Sequence, residues 1–189
     1  MAKVRVIEVH ENIFNTNNQE ADALRKRLKD KKVTMINVMS SPGSGKTTLL
    51  SHAINEIKDD YKVGVMDVDI ETSLDAQKVA DLTGVPSIQI HNGGLCHIDA
   101  EMTTRAVDEF GVDDFDFLFL ENIGNLVCPA EFDTGASINI TILSVPEGDD
   151  KPAKYPLVYT VSDVVLINKI DTLPVFDFNK ELVEQRIHE

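Results

Sequence analysis

The chain has 189 residues, 42% hydrophobic and 26% charged, which is enough apolar material for one domain around a single buried core. Its formal charge of −14 repels nucleic-acid phosphates. No apolar run approaches the roughly 18 residues that span a bilayer, and residues 1–9 lack the apolar stretch of a secretory signal, so a nucleic-acid binder and a helical membrane protein are excluded and a cytoplasmic protein is expected.

Residues 1–32 hold eight Lys and Arg against five Asp and Glu, in contrast to the acidic remainder, and are set apart as an N-terminal helical segment. A polar helix is predicted over 18–31, with Ala21, Leu24 and Leu28 on one side. Its basic side chains read first as a solvated helix face and second as a partner-docking arm. An apolar strand follows at 33–39, a small-residue loop at 40–45, and a helix at 46–57 with Leu49, Leu50, Ala53, Ile54 and Ile57 at helical spacing. Strands are then expected at 63–68, 87–90, 115–120, 138–145 and 164–168, and helices at 73–82, 99–110 and 178–188. Apolar strands alternating with helices predict an α/β fold, a mostly parallel twisted sheet covered by helices on both faces, over 33–189.

The loop Ser40-Ser41-Pro42-Gly43-Ser44-Gly45-Lys46-Thr47 matches the P-loop pattern, with Ser40 in place of the first glycine. In such a loop the backbone N–H groups of Gly43, Ser44, Gly45 and the helix start, through Thr48, cradle phosphate oxygens. Lys46 reaches the β- and γ-phosphates, and Thr47 ligates Mg2+. The competing reading is a glycine turn that merely caps a helix. The strand before it and the helix after it favour the phosphate loop.

Asn168-Lys169-Ile170-Asp171 follows the last strand and resembles the N-K-x-D element of GTPases, in which the Asp carboxylate pairs with guanine N–H groups that adenine lacks. Glu121-Asn122-Ile123-Gly124 has the spacing of the D-x-x-G switch, with Glu in place of Asp. Its carboxylate is expected in the Mg2+ shell and its Gly124 N–H at the γ-phosphate. Asp67, Asp69 and Asp75 lie at or after the second strand, and any of them is a candidate for holding Mg2+ or orienting the attacking water. Each has a plain alternative as a solvated acid.

Cys96, His97 and Cys128 offer the thiolate and imidazole donors that suit zinc or nickel. Three donors are too few for a closed tetrahedral site unless water or a second chain completes it, and two small buried thiols with a satisfied histidine remain the rival reading. Taken in order, residues 40–48, 92–97, 121–133 (ENIGNLVCPAEFD), 147–150 and 168–171 closely resemble the hydrogenase-maturation nickel-insertion GTPases, the HypB family of SIMIBI-type P-loop proteins. The resemblance implies a GTPase that helps deliver nickel to [NiFe]-hydrogenase. It implies GTP-dependent homodimerisation, a nickel or zinc site of Cys96, His97 and Cys128 at the dimer interface, and Lys169 reaching across that interface. A nickel chaperone and the precursor of the hydrogenase large subunit are the implied partners.

Two features depart from parts of that family: neither an N-terminal cysteine motif nor a histidine-rich stretch is present. No S-A-K-like base-contacting segment precedes Glu189, so either a shortened chain or an incomplete base pocket is expected. The alternatives are a urease-type nickel accessory GTPase, a small-molecule kinase, and a non-enzymatic metallochaperone that uses GTP as a structural switch.

Overall fold

The computed structural model describes residues 10–68 and 74–188, with side chains described over 14–68 and 76–188. Strands β1 (Thr34–Ser40), β2 (Val63–Val68), β3 (Ser87–Ile90), β4 (Phe117–Gly124), β5 (Ile138–Ser144) and β6 (Val164–Asn168) form one sheet in the order β3-β2-β4-β1-β5-β6. Every neighbouring pair is parallel. The longer helices are α1 (His10–Asp30), α2 (Lys46–Ile57), α3 (Leu74–Thr83) and α4 (Ala100–Phe110), and the short α5 (Cys128–Glu131), α6 (Lys151–Lys154) and α7 (Pro156–Thr160) precede α8 (Lys180–His188).

Successive strand residues point to opposite faces, and this sorts the core into two layers. Met35, Met66, Leu118 and Leu120 pack with Leu24 and Leu28 of α1 and Val107 of α4. Their neighbours Ile36, Val38, Val65 and Phe119 pack with Leu50 and Ile54 of α2 and Val79 of α3 on the other face. A third cluster, Met39, Leu126, Ala130, Val158 and Tyr159, joins the end of β1 to α5 and α7.

The structure departs from the sequence expectation at several elements. The first helix begins at His10 rather than 18, and its Ala21, Leu24 and Leu28 are buried as predicted. Part of its basic set is tied to the body rather than only solvated: Arg25 pairs with Asp133 and Arg27 with Asp108, as does Lys31 just beyond the helix with Asp113, while Lys26 and Lys29 are exposed as the solvated-face reading expects. Second, β4 runs on through residues 121–124, because β1 keeps pairing with it as far as Ser40 opposite Gly124, across a register shift after Val38. Third, α5, α6 and α7 escaped notice, since helices of four or five residues leave too short a record for hydrophobic periodicity.

Candidate functional site

In a parallel sheet the C-terminal strand ends form the crevice where ligands sit, at the point where the chain turns from one side of the sheet to the other. Here β1 is central, and the loop between it and α2 lies at that crevice. Gly43 (φ 73°) and Gly45 (φ 96°) take left-handed conformations, the region where glycine carries no steric penalty. A Cβ on Gly45 would also stand 2.7 Å from Asn168 Nδ2, so the position has no room for a side chain. No side chain caps α2 at Gly45, which leaves its first-turn amides and positive dipole end to an anion.

A cavity of about 450 Å3 opens beside this loop, lined by Gly43, Gly45, Lys46, Thr47 and Thr48 on one side and by Asp67, Glu121 and Gly124 on the other. Lys46 Nζ donates to Ser40 Oγ at 3.2 Å. The serine at the first-glycine place thus parks the lysine amine rather than blocking the loop. Ser44 is buried behind the loop.

The far wall is acidic. Asp67 and Glu121, each 2% exposed, are direct partners across β2 and β4, and Thr47 Oγ1 donates to Glu121 Oε1 at 2.8 Å. Two carboxylates beside a hydroxyl at the mouth of a phosphate loop are the oxygen donors a hard divalent cation such as Mg2+ takes. Gly124 abuts the loop: a Cβ there would lie 3.2 Å from Pro42 Cα and N. Asp69 lies outside the described residues. Asp75 falls in the first turn of α3, its side chain outside them too. Lys78 of α3 lines the same cavity and carried no sequence signal beyond being a helix-surface lysine.

Asn168 and Lys169 brace the loop from behind: Asn168 Nδ2 donates to Ser44 O at 2.8 Å and Lys169 Nζ to Gly43 O at 2.6 Å. Lys169 itself sits at φ 57°, turning the chain into the 3-10 helix Ile170–Thr172. Asp171 lies exposed in that turn, away from the cavity wall.

Sequence reasoning overlooked one brace. Glu147 Oε2 accepts from Ser44 Oγ at 2.6 Å, from Ser144 Oγ at 2.6 Å and from Ser144 N at 2.9 Å. Burial works against its charge, but the hydroxyls of Ser144, Ser41 and Ser44 outweigh it and hold the carboxyl below its ordinary range. Ser144-Val145-Pro146-Glu147 has the spacing of a capping box, and both of its reciprocal bonds form; that pattern was the available signal. Burial, and then the Glu147 charge, push the Tyr159 phenol well above its usual range.

The thiol cluster lies just beyond the switch-like segment. After Gly124 the chain turns through Asn125–Val127, and Cys128 opens α5. Cys96 and Cys128 are free thiols with sulfurs 2.7 Å apart, and the Cys96 contact raises the Cys128 pKa, ahead of burial. His97 Nδ1 stands 3.9 Å from Cys96 Sγ. The two thiols and the imidazole thus bring together donors of the soft and borderline kind that nickel and zinc take. Among the described residues no three His, Cys, Asp or Glu side chains are grouped to close on one ion, and no helix is long and apolar enough to cross a membrane.

Residues 34–189 match the family model described as "CobW/HypB/UreG, nucleotide-binding domain". The chain is 42% identical over 181 residues to the hydrogenase maturation factor HypB of Escherichia coli K12, covering 96% of this chain and 62% of that protein. It is 42% identical over 183 residues to the hydrogenase/urease maturation factor HypB of Helicobacter hepaticus, covering 95% and 74%. The crystal structure of HypB from Helicobacter pylori in complex with nickel superposes with a TM-score of 0.84 at 40% identity, over 92% of this chain and 81% of that one. The chain thus spans about three fifths of the length of the E. coli relative.

Proposed function

The chain belongs to the CobW/HypB/UreG family of nucleotide-binding domains, and from that premise we propose that it hydrolyses GTP to time the handling of nickel for a metalloenzyme under maturation. One observation carries the reading. Residues 121–124 wall the phosphate cavity, and four residues after Gly124 the same chain supplies Cys128, whose sulfur meets that of Cys96. A γ-phosphate arriving at Gly124 and leaving after hydrolysis moves a stretch of backbone tied to a metal donor.

In this reading the amides of residues 43–48 hold the phosphates, Lys46 leaves Ser40 for the β- and γ-oxygens, and Asp171 selects guanine. Thr47, Glu121 and Asp67 are the Mg2+ ligands supported by their convergence, with Asp69 and Asp75 the further candidates. Held there, Mg2+ would supply charge neutralisation at the phosphates. Nickel is cargo, taken by Cys96, His97 and Cys128 with zinc as the competing ion, and a second copy of the chain completes the donor set. The charge of −14 opposes a nucleic-acid partner.

Hydrogenase maturation is the favoured target because of the E. coli relative. The Helicobacter relative, named for hydrogenase and urease alike, supports a second reading in which one protein serves both. Phosphate release by purified protein, with nickel affinity measured in GDP and in a non-hydrolysable GTP analogue, tests the core claim. The expected result is GTP turnover that Lys46→Ala lowers by ~10²–10³-fold and a nickel affinity that differs between the two nucleotides. Equal nickel affinities would remove the coupling.

A further inference from the structure

The imidazole of His97 lies flat on the ring of Phe132, centroids 3.8 Å apart and planes within 7° of parallel. Such a stack fixes the ring plane, and here it turns Nδ1 toward Cys96 Sγ, 3.9 Å away. Donors around one tetrahedral ion, with metal–sulfur bonds of ~2.3 Å and metal–nitrogen bonds of ~2.0 Å, stand ~3.5–3.8 Å from each other. The imidazole therefore already keeps donor spacing from Cys96. Only the two sulfurs, 2.7 Å apart, must open by about 1 Å to reach the same spacing.

Phe132 is in turn held by α1. Phe14 packs against it with centroids 5.2 Å apart. The next residue, Asp133, is gripped by Arg25 through both carboxylate oxygens at 2.7 and 2.6 Å, and Arg25 Nε donates to Ala136 O at 3.0 Å. Buried Asn17 joins the two donor segments: its Nδ2 donates to Asp133 O at 3.0 Å, and its Oδ1 accepts from Ala100 N at 2.9 Å. Ala100 opens α4, directly after the turn that Asn92 closes by donating to Leu95 O and His97 O.

We propose that Phe132 is a positioning residue that presents His97 Nδ1 to the metal, and that α1 is the strap that holds it there through Arg25 and Asn17. This rests on the reading of Cys96, His97 and Cys128 as the nickel site. Outer contacts that orient a ligating histidine are commonly worth 10–100-fold in metal affinity.

The test titrates the full chain with Ni2+ alone and with Co2+ alone against a competing chelator, reading affinity and the Co2+ ligand-field spectrum. Phe132→Leu is expected to weaken binding by ~10–100-fold and to shift the spectrum, and Phe132→Tyr, which keeps a stacking ring, to restore both. Arg25→Ala, remote from the donors, is expected to weaken binding in the same direction and carries the test independently of how the Phe132 variants fold. Lys26→Ala, which removes only an exposed pair with Asp30, is the unaffected control. Wild-type affinity and spectrum in both Phe132→Leu and Arg25→Ala, with Cys96→Ala deficient, would overturn the strap and leave the metal site standing. Wild-type binding by Cys96→Ala and His97→Ala would instead bring down the site reading itself.

Discussion

At the scale of single residues, the phosphate loop is a frame whose crown is held from outside. Asn168, Lys169 and Glu147 reach Gly43 and Ser44 from segments more than 100 positions away, so the loop is shaped before any phosphate arrives, which lowers the ordering cost of binding. Lys46→Ala is expected to cut GTP turnover by ~10²–10³-fold, the usual loss for one transition-state donor, as read from phosphate release. Glu147→Ala should weaken GDP binding about tenfold, in keeping with one charge-assisted hydrogen bond. A fluorescent-nucleotide titration checks it, and Ser44→Ala should add little on top, because the two changes remove the same bond. Glu147 also carries a pH signature. Its folded pKa is depressed, so its stabilisation is complete above the ordinary carboxylate range and is lost as pH falls through the folded value. Thermal melts from neutral to acid pH should show a shallower acid decline in Glu147→Gln; parallel curves would argue against the clamp.

At the scale of elements, α1 belongs to the core of the nucleotide-binding unit. Leu24 and Leu28 share a cluster with Val33 and Met35 at the start of β1, and the helix's arginines answer acids on the body. Leu28→Ala should therefore cost about 2–5 kcal/mol, as for other fully buried leucines, and melting should remain one cooperative transition. A separate early transition for α1 would refute this. The extension of β4 through Gly124 is the other consequential element. It carries the pairing with β1, across the shift after Val38, to Ser40 opposite Gly124, four residues before α5 opens at Cys128; on the proposed reading a movement of Gly124 reaches the cysteine through that short link.

At the scale of the whole molecule, the phosphate cavity and the thiol-bearing segments both follow the C-terminal ends of the parallel strands, and the exposed Leu95 and Val127 flank the two cysteines. On the proposed reading this apolar rim faces a second copy of the chain. The expected observation is a doubling of molar mass by light scattering in a GTP analogue but not in GDP, diminished in Val127→Asp. A mass indifferent to nucleotide would leave the metal site to be completed by water or another partner.

The strand–loop–helix order around Ser40-Thr47 and the α/β alternation were legible in the chain, because each is a local pattern of hydrophobicity or small residues that backbone sterics translate directly; the N-K-x-D and switch-like elements were visible only as short motifs at strand ends. The capping box at Ser144–Glu147 was a local signal too, but the long-range contacts of Glu147, Lys78 and Phe132 were not legible, because they arise only when distant segments meet: Glu147 lies 103 positions from Ser44, and Phe132 meets His97 from a different loop. The sequence by itself determined which candidate donors for phosphate and for soft metals the protein owns. The parallel sheet alone decided that β1, β2 and β4 end side by side, and so which of those side chains touch, since strand order follows from packing across the whole chain and no local window contains it.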